Sequence, residues 1–145
     1  MNIEDISFNS LIPELSVSNI EQSKNFYLKL GFKIKYERPE NKFCFLELEN
    51  NQIMIEQIND NWNVGKLEYP YGRGINLSMA VSDVSKMYED LKKQKITFFR
   101  ELETHEYRVN DEISTDIEFL IQDPDGYLLR FNNWMLYNKL CKASD

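Results

Sequence analysis

The stretch LSVSNI at residues 15–20 recurs 64 residues later as MAVSDV at residues 79–84. A second match, offset by 74 residues, joins FLELEN at 45–50 to FLIQDP at 119–124. Matches in the same order predict that the chain contains two copies of one module. The offset grows by ten residues between the two matches, so the second copy contains an insertion, which we place within residues 98–115.

The first copy begins with a strand and a capped helix. Apolar residues alternate over 11–17 and then recur at helical spacing over 20–30. Ser18-Asn19 is typical of a helix start, and Gly31 is typical of a helix end. The strands predicted to follow this helix are 32–36, 43–48 and 52–58.

The second copy repeats that order, with a helix capped by Ser82-Asp83. Residues 101–114 are charged and poorly periodic, which places the insertion there. A polar, aromatic loop at 59–73 joins the copies and is long enough to be functional. The elements predicted for the second copy and the chain end are strands at 75–81, 96–99, 116–122 and 127–131, a turn at 123–126 and a closing helix at about 134–142.

Composition fits one domain over residues 1–145, with modules at about 10–58 and 74–133. The 145 residues are 42% apolar, which is enough for a core, and carry 17 basic against 24 acidic side chains. A net charge of −7 without a basic stripe disfavours nucleic-acid binding and suits a cationic or neutral ligand. The same charge is equally explained as a surface that keeps a cytoplasmic protein soluble.

The two cysteines, Cys44 and Cys141, lie far apart and outside any C-x-x-C spacing. A disulfide framework or a thiolate zinc site is therefore not expected. The start of the sequence has neither the basic nor the apolar region of a signal peptide, and no apolar run approaches membrane-spanning length, so we expect neither feature. We expect a soluble protein of the cytoplasm without a membrane partner.

The helix motif NIEQSKNFYLKLGF at 19–32 and the closing motif DPDGYLLRF at 123–131 stand in this duplicated frame. In that order they resemble the vicinal oxygen chelate superfamily, which includes glyoxalase I, extradiol dioxygenases, fosfomycin-resistance transferases and bleomycin-resistance proteins. The resemblance covers about residues 10–133. It implies an α+β fold of two βαβββ modules in tandem, with half-open sheets that enclose a cleft, and it implies a homodimer.

The metal enzymes of that superfamily place one ligand on the first and one on the fourth strand of each module. The resemblance maps these positions to Ile12, Glu56, Asn76 and Arg130. Only Glu56 suits a divalent cation, because Ile12 has no donor atom and Arg130 is permanently positive. The resemblance therefore implies a member without metal or other cofactor. Glu56 and Arg130 are expected either to pair with each other across the cleft or to contact a ligand.

Among the metal-free members, the chain resembles bleomycin-resistance proteins, which sequester a cationic drug without changing it. Phe43 stands at that family's stacking position, although an aromatic residue in an apolar run is also typical of a core. Trp62 lies among asparagines, and Thr115-Asp116 replaces the family's usual Trp-Gly. Glu14 is a further groove candidate by strand alternation. The residues proposed to bind the ligand are Phe43, Glu56, Trp62, Asn76, Glu118 and Arg130.

Three functions remain open at this point. The first is metal-independent sequestration of a cationic or heteroaromatic small molecule in a groove at a dimer interface. The second is an enzyme of the same fold, a lyase or isomerase, with Glu56 as general base; the single histidine, His105, leaves few acid–base partners. The third is a scaffold that contacts a partner protein through the aromatic loop at 62–71.

Overall fold

The computed structural model describes residues 2–133, and the chain divides into two units. The first unit runs to Tyr71 and includes Asp123–Gly126, whereas the second comprises Gly72–Gln122 and resumes at Tyr127. Each unit holds one helix and one four-stranded sheet, which confirms the predicted α+β fold of two βαβββ modules. The closing helix predicted at about 134–142 and the residue Cys141 lie outside the described residues.

The first unit has its strands in the order β1-β4-β3-β2. Strand β1 is parallel to β4, and the remaining neighbours are antiparallel. Its elements are short 3-10 helices at Ile3–Asp5 and Pro39–Asn41, strands β1 (Glu14–Val17), β2 (Lys33–Arg38), β3 (Phe43–Leu48) and β4 (Asn51–Gln57), and helix α1 (Ile20–Leu30).

The second unit repeats this topology in the order β5-β8-β7-β6. Strand β5 is parallel to β8, as β1 is to β4. Its elements are strands β5 (Asn76–Ala80), β6 (Arg100–Val109), β7 (Glu112–Gln122) and β8 (Leu128–Asn132), and helix α2 (Val84–Lys93).

The insertion differs from its sequence prediction. Residues 96–99 are not a strand, and the charged segment after them forms β6, which pairs with β7 as a long hairpin. Strand β6 is mostly exposed, so it lacks the alternation of apolar and polar residues that marks a half-buried strand. The prediction was wrong because cross-strand hydrogen bonds, rather than apolar alternation, maintain this part of the sheet.

Both helix starts use the predicted chemistry. The Asn19 side chain accepts a hydrogen bond from the Gln22 backbone N–H, and the Asp83 side chain accepts one from the Lys86 N–H. Helix α1 ends at Gly31, whose φ of 107° lies in the left-handed region that glycine adopts at little cost. The repeated Ser-Asn and Ser-Asp pairs are thus repeated N-caps.

The turn between β7 and β8 packs in the first unit. Asp125 accepts hydrogen bonds from the Ser18 N–H at 3.0 Å and the Ser18 hydroxyl at 2.5 Å. The Tyr27 hydroxyl lies 2.7 Å from Asp123 Oδ2, to which it can donate. Gly126 has φ +95°, and a Cβ there would lie 2.6 Å from Pro70 Cα, so a side chain at this position would force the backbone to move. The closing motif is therefore a packing element as well as a turn.

Each sheet packs one face against its own helix. In the first unit that face includes Cys44, Leu46 and Ile55, and in the second it includes Phe119 and Leu129, all of them buried. Because side chains alternate along a strand, a different set of residues lies on the opposite face, which we call the distal face of each sheet. Neither helix in residues 2–133 is long and apolar enough to cross a bilayer.

Candidate functional site

The distal face of the first sheet is filled by aromatic side chains. Phe45 is fully buried, stacks on Tyr36 at 5.2 Å between ring centroids, and meets the ring of Phe8 edge-on at 5.4 Å. Phe43 is 3% exposed, and the Arg38 guanidinium lies 4.0 Å from its ring centroid. These rings pack in the manner of a core and leave little of Phe43 for a ligand to contact.

Glu56 lies at the polar end of the same face. Its carboxylate accepts a hydrogen bond from the side-chain amide of Asn59. Glu14 lies close enough that burial, followed by the charge of Glu56, raises the pKa of Glu14 above its ordinary value. Two carboxylates therefore share this end of the sheet, with Arg38 as a nearby positive charge.

Trp62 follows β4 in the loop that joins the modules. Its side chain is 66% exposed, which is unusual for the largest apolar side chain. The loop is shaped locally by the Asn61 backbone N–H, which donates to Asn59 Oδ1, and by Asp60 at φ 66°. An exposed ring on such a loop is available for stacking.

The distal face of the second sheet is polar. Arg130 on β8 donates through Nη2 to Glu118 Oε2 at 2.9 Å and through Nη1 to Asn76 Oδ1 at 3.3 Å. Glu118 is 3% exposed, and its hydrogen bond raises the pKa of Arg130. Three of the six predicted ligand-binding residues are thus neighbours on one face.

Sequence reasoning missed two members of this face, His105 and Tyr107 on β6. His105 Nε2 lies 2.8 Å from Glu103 Oε1 and 3.4 Å from Glu118 Oε1. The Tyr107 hydroxyl is hydrogen-bonded to the Arg130 guanidinium. The available signal was the spacing of two between residues 103, 105 and 107, which places all three side chains on one face of a strand.

Asp116 is the least satisfied member of the face. It is 6% exposed, and its Oδ1 has no hydrogen-bond partner among residues 2–133. The Asn133 backbone N–H donates to the carboxylate. Burial and the negative charge of Glu118 raise the pKa of Asp116 above its ordinary value. A buried acceptor without a partner is rare and costs stability.

The four positions that correspond to metal ligands do not fit a divalent ion. Ile12 offers only an alkyl side chain, and the Arg130 guanidinium already donates to Glu118. Within the described part of the chain, no three side chains of His, Cys, Asp or Glu are grouped so that they could hold a metal.

Cys44 lies on the helix-facing side of β3 and is buried. Burial raises the pKa of its thiol to about 12. Because the thiolate is the nucleophile, this cysteine is unreactive at neutral pH.

Comparisons with known proteins agree with this architecture. The model of the Glyoxalase/Bleomycin resistance protein/Dioxygenase superfamily matches residues 11–131. A superfamily member of that name from Vibrio splendidus 12B01 is 34% identical, over 83% of this chain and 95% of that one, with a TM-score of 0.39. No curated protein matches the chain.

Two further crystal structures are similar in fold. TioX from Micromonospora sp. ML1 has a TM-score of 0.66 at 14% identity, over 86% of this chain and 98% of that one. A bleomycin-binding protein complexed with bleomycin has a TM-score of 0.59 at 17% identity, again over 86% and 98%. At these identities the likeness concerns the fold alone.

Proposed function

The chain belongs to the glyoxalase/bleomycin resistance protein/dioxygenase superfamily, and from that premise we propose that it is a metal-independent small-molecule binding protein. Its ligand is a cationic or heteroaromatic compound, which the protein binds and releases without changing it chemically. The proposal includes a homodimer in the cytoplasm, with the ligand groove at the interface between subunits.

The observation that carries the proposal is the hydrogen-bonded set formed by Asn76, Glu118 and Arg130. Two of these residues occupy positions that correspond to metal ligands, and here they are an amide and a guanidinium. Their contacts are with each other and with a carboxylate, so the face carries fixed donors and acceptors. Such groups orient a bound molecule and give specificity, as polar groups do in small-molecule sites.

Each proposed contact has a physical role. Trp62 offers an exposed flat ring on which a heteroaromatic ring can stack. Glu56 and Glu118 supply negative charge for a cationic group, and the hydrogen bond from Arg130 orients the Glu118 carboxylate. Phe43 is 3% exposed, so its contribution to ligand contact is small. None of these roles requires a bond to be made or broken.

The first test is a titration of metal-stripped protein with bleomycin and with a panel of divalent ions, followed by calorimetry. Saturable heat with bleomycin and none with the ions would support metal-independent binding. Stoichiometric binding of a divalent ion would contradict it, because it would mean that the positions corresponding to metal ligands are different ones. Heat in neither titration would rule out bleomycin itself, and the ligand panel would then extend to other heteroaromatic cations.

The role of Trp62 is tested with the variant Trp62→Ala. Removing an aromatic stacking partner costs about 0.5–1.5 kcal/mol, so we expect roughly 2-fold to 13-fold weaker binding. The matched control is Val64→Ala, since Val64 is a fully exposed apolar residue of the same loop. Equal affinity in the Trp62 and Val64 variants would mean that the loop does not contact the ligand through Trp62.

A further inference from the structure

We propose that Asp116 and Glu118, on the distal face of the second sheet, form an anchoring subsite for a nitrogen cation of the ligand, an amidinium or ammonium group. This inference rests on the proposed function and names the ligand group that the second unit recognises.

The first observation is an excess of negative charge on one face. Glu118 pairs in register with Glu103 across β6 and β7, and Asp116 pairs in register with His105. Cross-strand partners have side chains on the same side of a sheet. Three carboxylates therefore face one guanidinium, that of Arg130. The carboxylates on this face thus outnumber its guanidinium groups by two.

The second observation is independent of charge, because it concerns a hydrogen bond. Asp116 is 6% exposed, and its Oδ1 has no partner among residues 2–133. A buried carboxylate oxygen without a donor is costly, whereas an N–H of a cation at this position would supply a charge-assisted bond. Burial, followed by the charge of Glu118, also raises the pKa of Asp116.

His105 is the side chain that the ligand has to displace. It lies opposite Asp116 on edge strand β6, is 30% exposed and touches Glu118 at 3.4 Å, which is longer than a good hydrogen bond. Its stronger contact, at 2.8 Å, is with Glu103. If the imidazole turns outward with Glu103, the oxygens of Asp116 and Glu118 become accessible from the exposed side of the hairpin.

The charge and the acceptor atoms of the subsite favour an amidinium or ammonium over other ions. An anion would be repelled by the three carboxylates. The carboxylates and the imidazole of this face are not grouped so that three of them could hold one metal ion, within residues 2–133. An amidinium presents two N–H donors in a plane and can bind Asp116 and Glu118 together.

The test uses benzamidinium as the probe and benzamide, its uncharged analogue of the same shape, as the comparison compound. Binding is followed by amide chemical-shift titration of the full chain. We expect benzamidinium to bind with a Kd on the order of 1 mM and benzamide to bind at least tenfold more weakly. In Asp116→Asn the benzamidinium affinity should fall by roughly tenfold to a hundredfold.

Two further variants make the outcome decisive. Glu112→Gln removes an exposed carboxylate of the same strand and should leave the affinity unchanged. His105→Ala should increase the affinity, because it removes the competing side chain. No benzamidinium binding at 20-fold the expected Kd, equal binding of benzamide, or equal losses in Asp116→Asn and Glu112→Gln would each overturn the subsite.

The benzamidinium and bleomycin titrations can give different results, so the subsite and the proposed function can fail independently. If bleomycin binds but benzamidinium does not, the protein is a binder without this cation subsite. If benzamidinium binds in the Asp116-dependent way and bleomycin does not, the subsite stands and the ligand is a different cation.

Discussion

The two units have the same strand topology, but the distal face of the first is aromatic and that of the second is charged and polar. In the first sheet, Phe45 and its aromatic neighbours close the face with their own rings. In the second sheet, the equivalent surface holds Asp116, Glu118 and Arg130 in an incompletely satisfied polar network. A duplicated module can thus keep its helix-facing core while one distal face fills with aromatic rings and the other carries charged and polar side chains.

The two units share the framework that positions both faces. Asn19 and Asp83 cap their helices in the same way, and in each unit the first strand runs parallel to the last. These features depend on the cap residues and on strand pairing, and the two units share them although their distal faces differ. The difference between the faces therefore lies in side chains outside this framework.

The largest expected effect concerns the aromatic face. Phe45→Ala removes a fully buried ring with two aromatic neighbours, so we expect a loss of about 3–5 kcal/mol in the free energy of unfolding. Urea denaturation measures it. The control is Phe99→Ala, because Phe99 is 51% exposed and should cost less than about 1 kcal/mol. Similar losses at the two positions would mean that the first distal face is not a core.

A smaller effect is expected on the polar face. Arg130→Met leaves the buried carboxylate of Glu118 without its cation, which should destabilise the fold by roughly 2–3 kcal/mol after allowance for the partial exposure of Arg130. Arg108→Met, at an exposed position on β6, is the matched control and should cost less than about 0.5 kcal/mol. The double variant Arg130→Met with Glu118→Gln should recover part of the loss, since residue 118 then carries no charge to be left unpaired. If it is no more stable than the single variant, the ion pair is not the cause.

The smallest effect is a pH dependence at Asp116. Its pKa is raised above 3.8 in the folded protein, so between 3.8 and that higher value the folded state binds a proton that the unfolded state has lost. Stability from this group is therefore present at low pH and decreases as pH rises through that window. Asp116→Asn should remove this dependence and gain less than about 1 kcal/mol at neutral pH. Thermal unfolding at several pH values measures it, and parallel profiles for both proteins would contradict it.

Much of the fold follows from local patterns. The repeat, the capped helices, Gly31 and the turn at 123–126 were all predicted, because each depends on residues close in sequence. The hairpin of β6 and β7 was not, because an exposed edge strand rich in charge lacks apolar alternation. The same hairpin carries His105 and Tyr107, so the misassigned segment also hid part of the candidate site.

The sequence by itself determined that two copies of one module are present and where their helices begin. Only the tertiary structure decided that Arg130 pairs with Glu118, that Phe45 is closed in by Phe8, and that an oxygen of Asp116 lacks a partner. The physical reason is the distance along the sequence between the residues that interact. Caps and turns are satisfied within a few residues, whereas the charge balance and hydrogen bonding of a sheet face depend on strands distant in sequence.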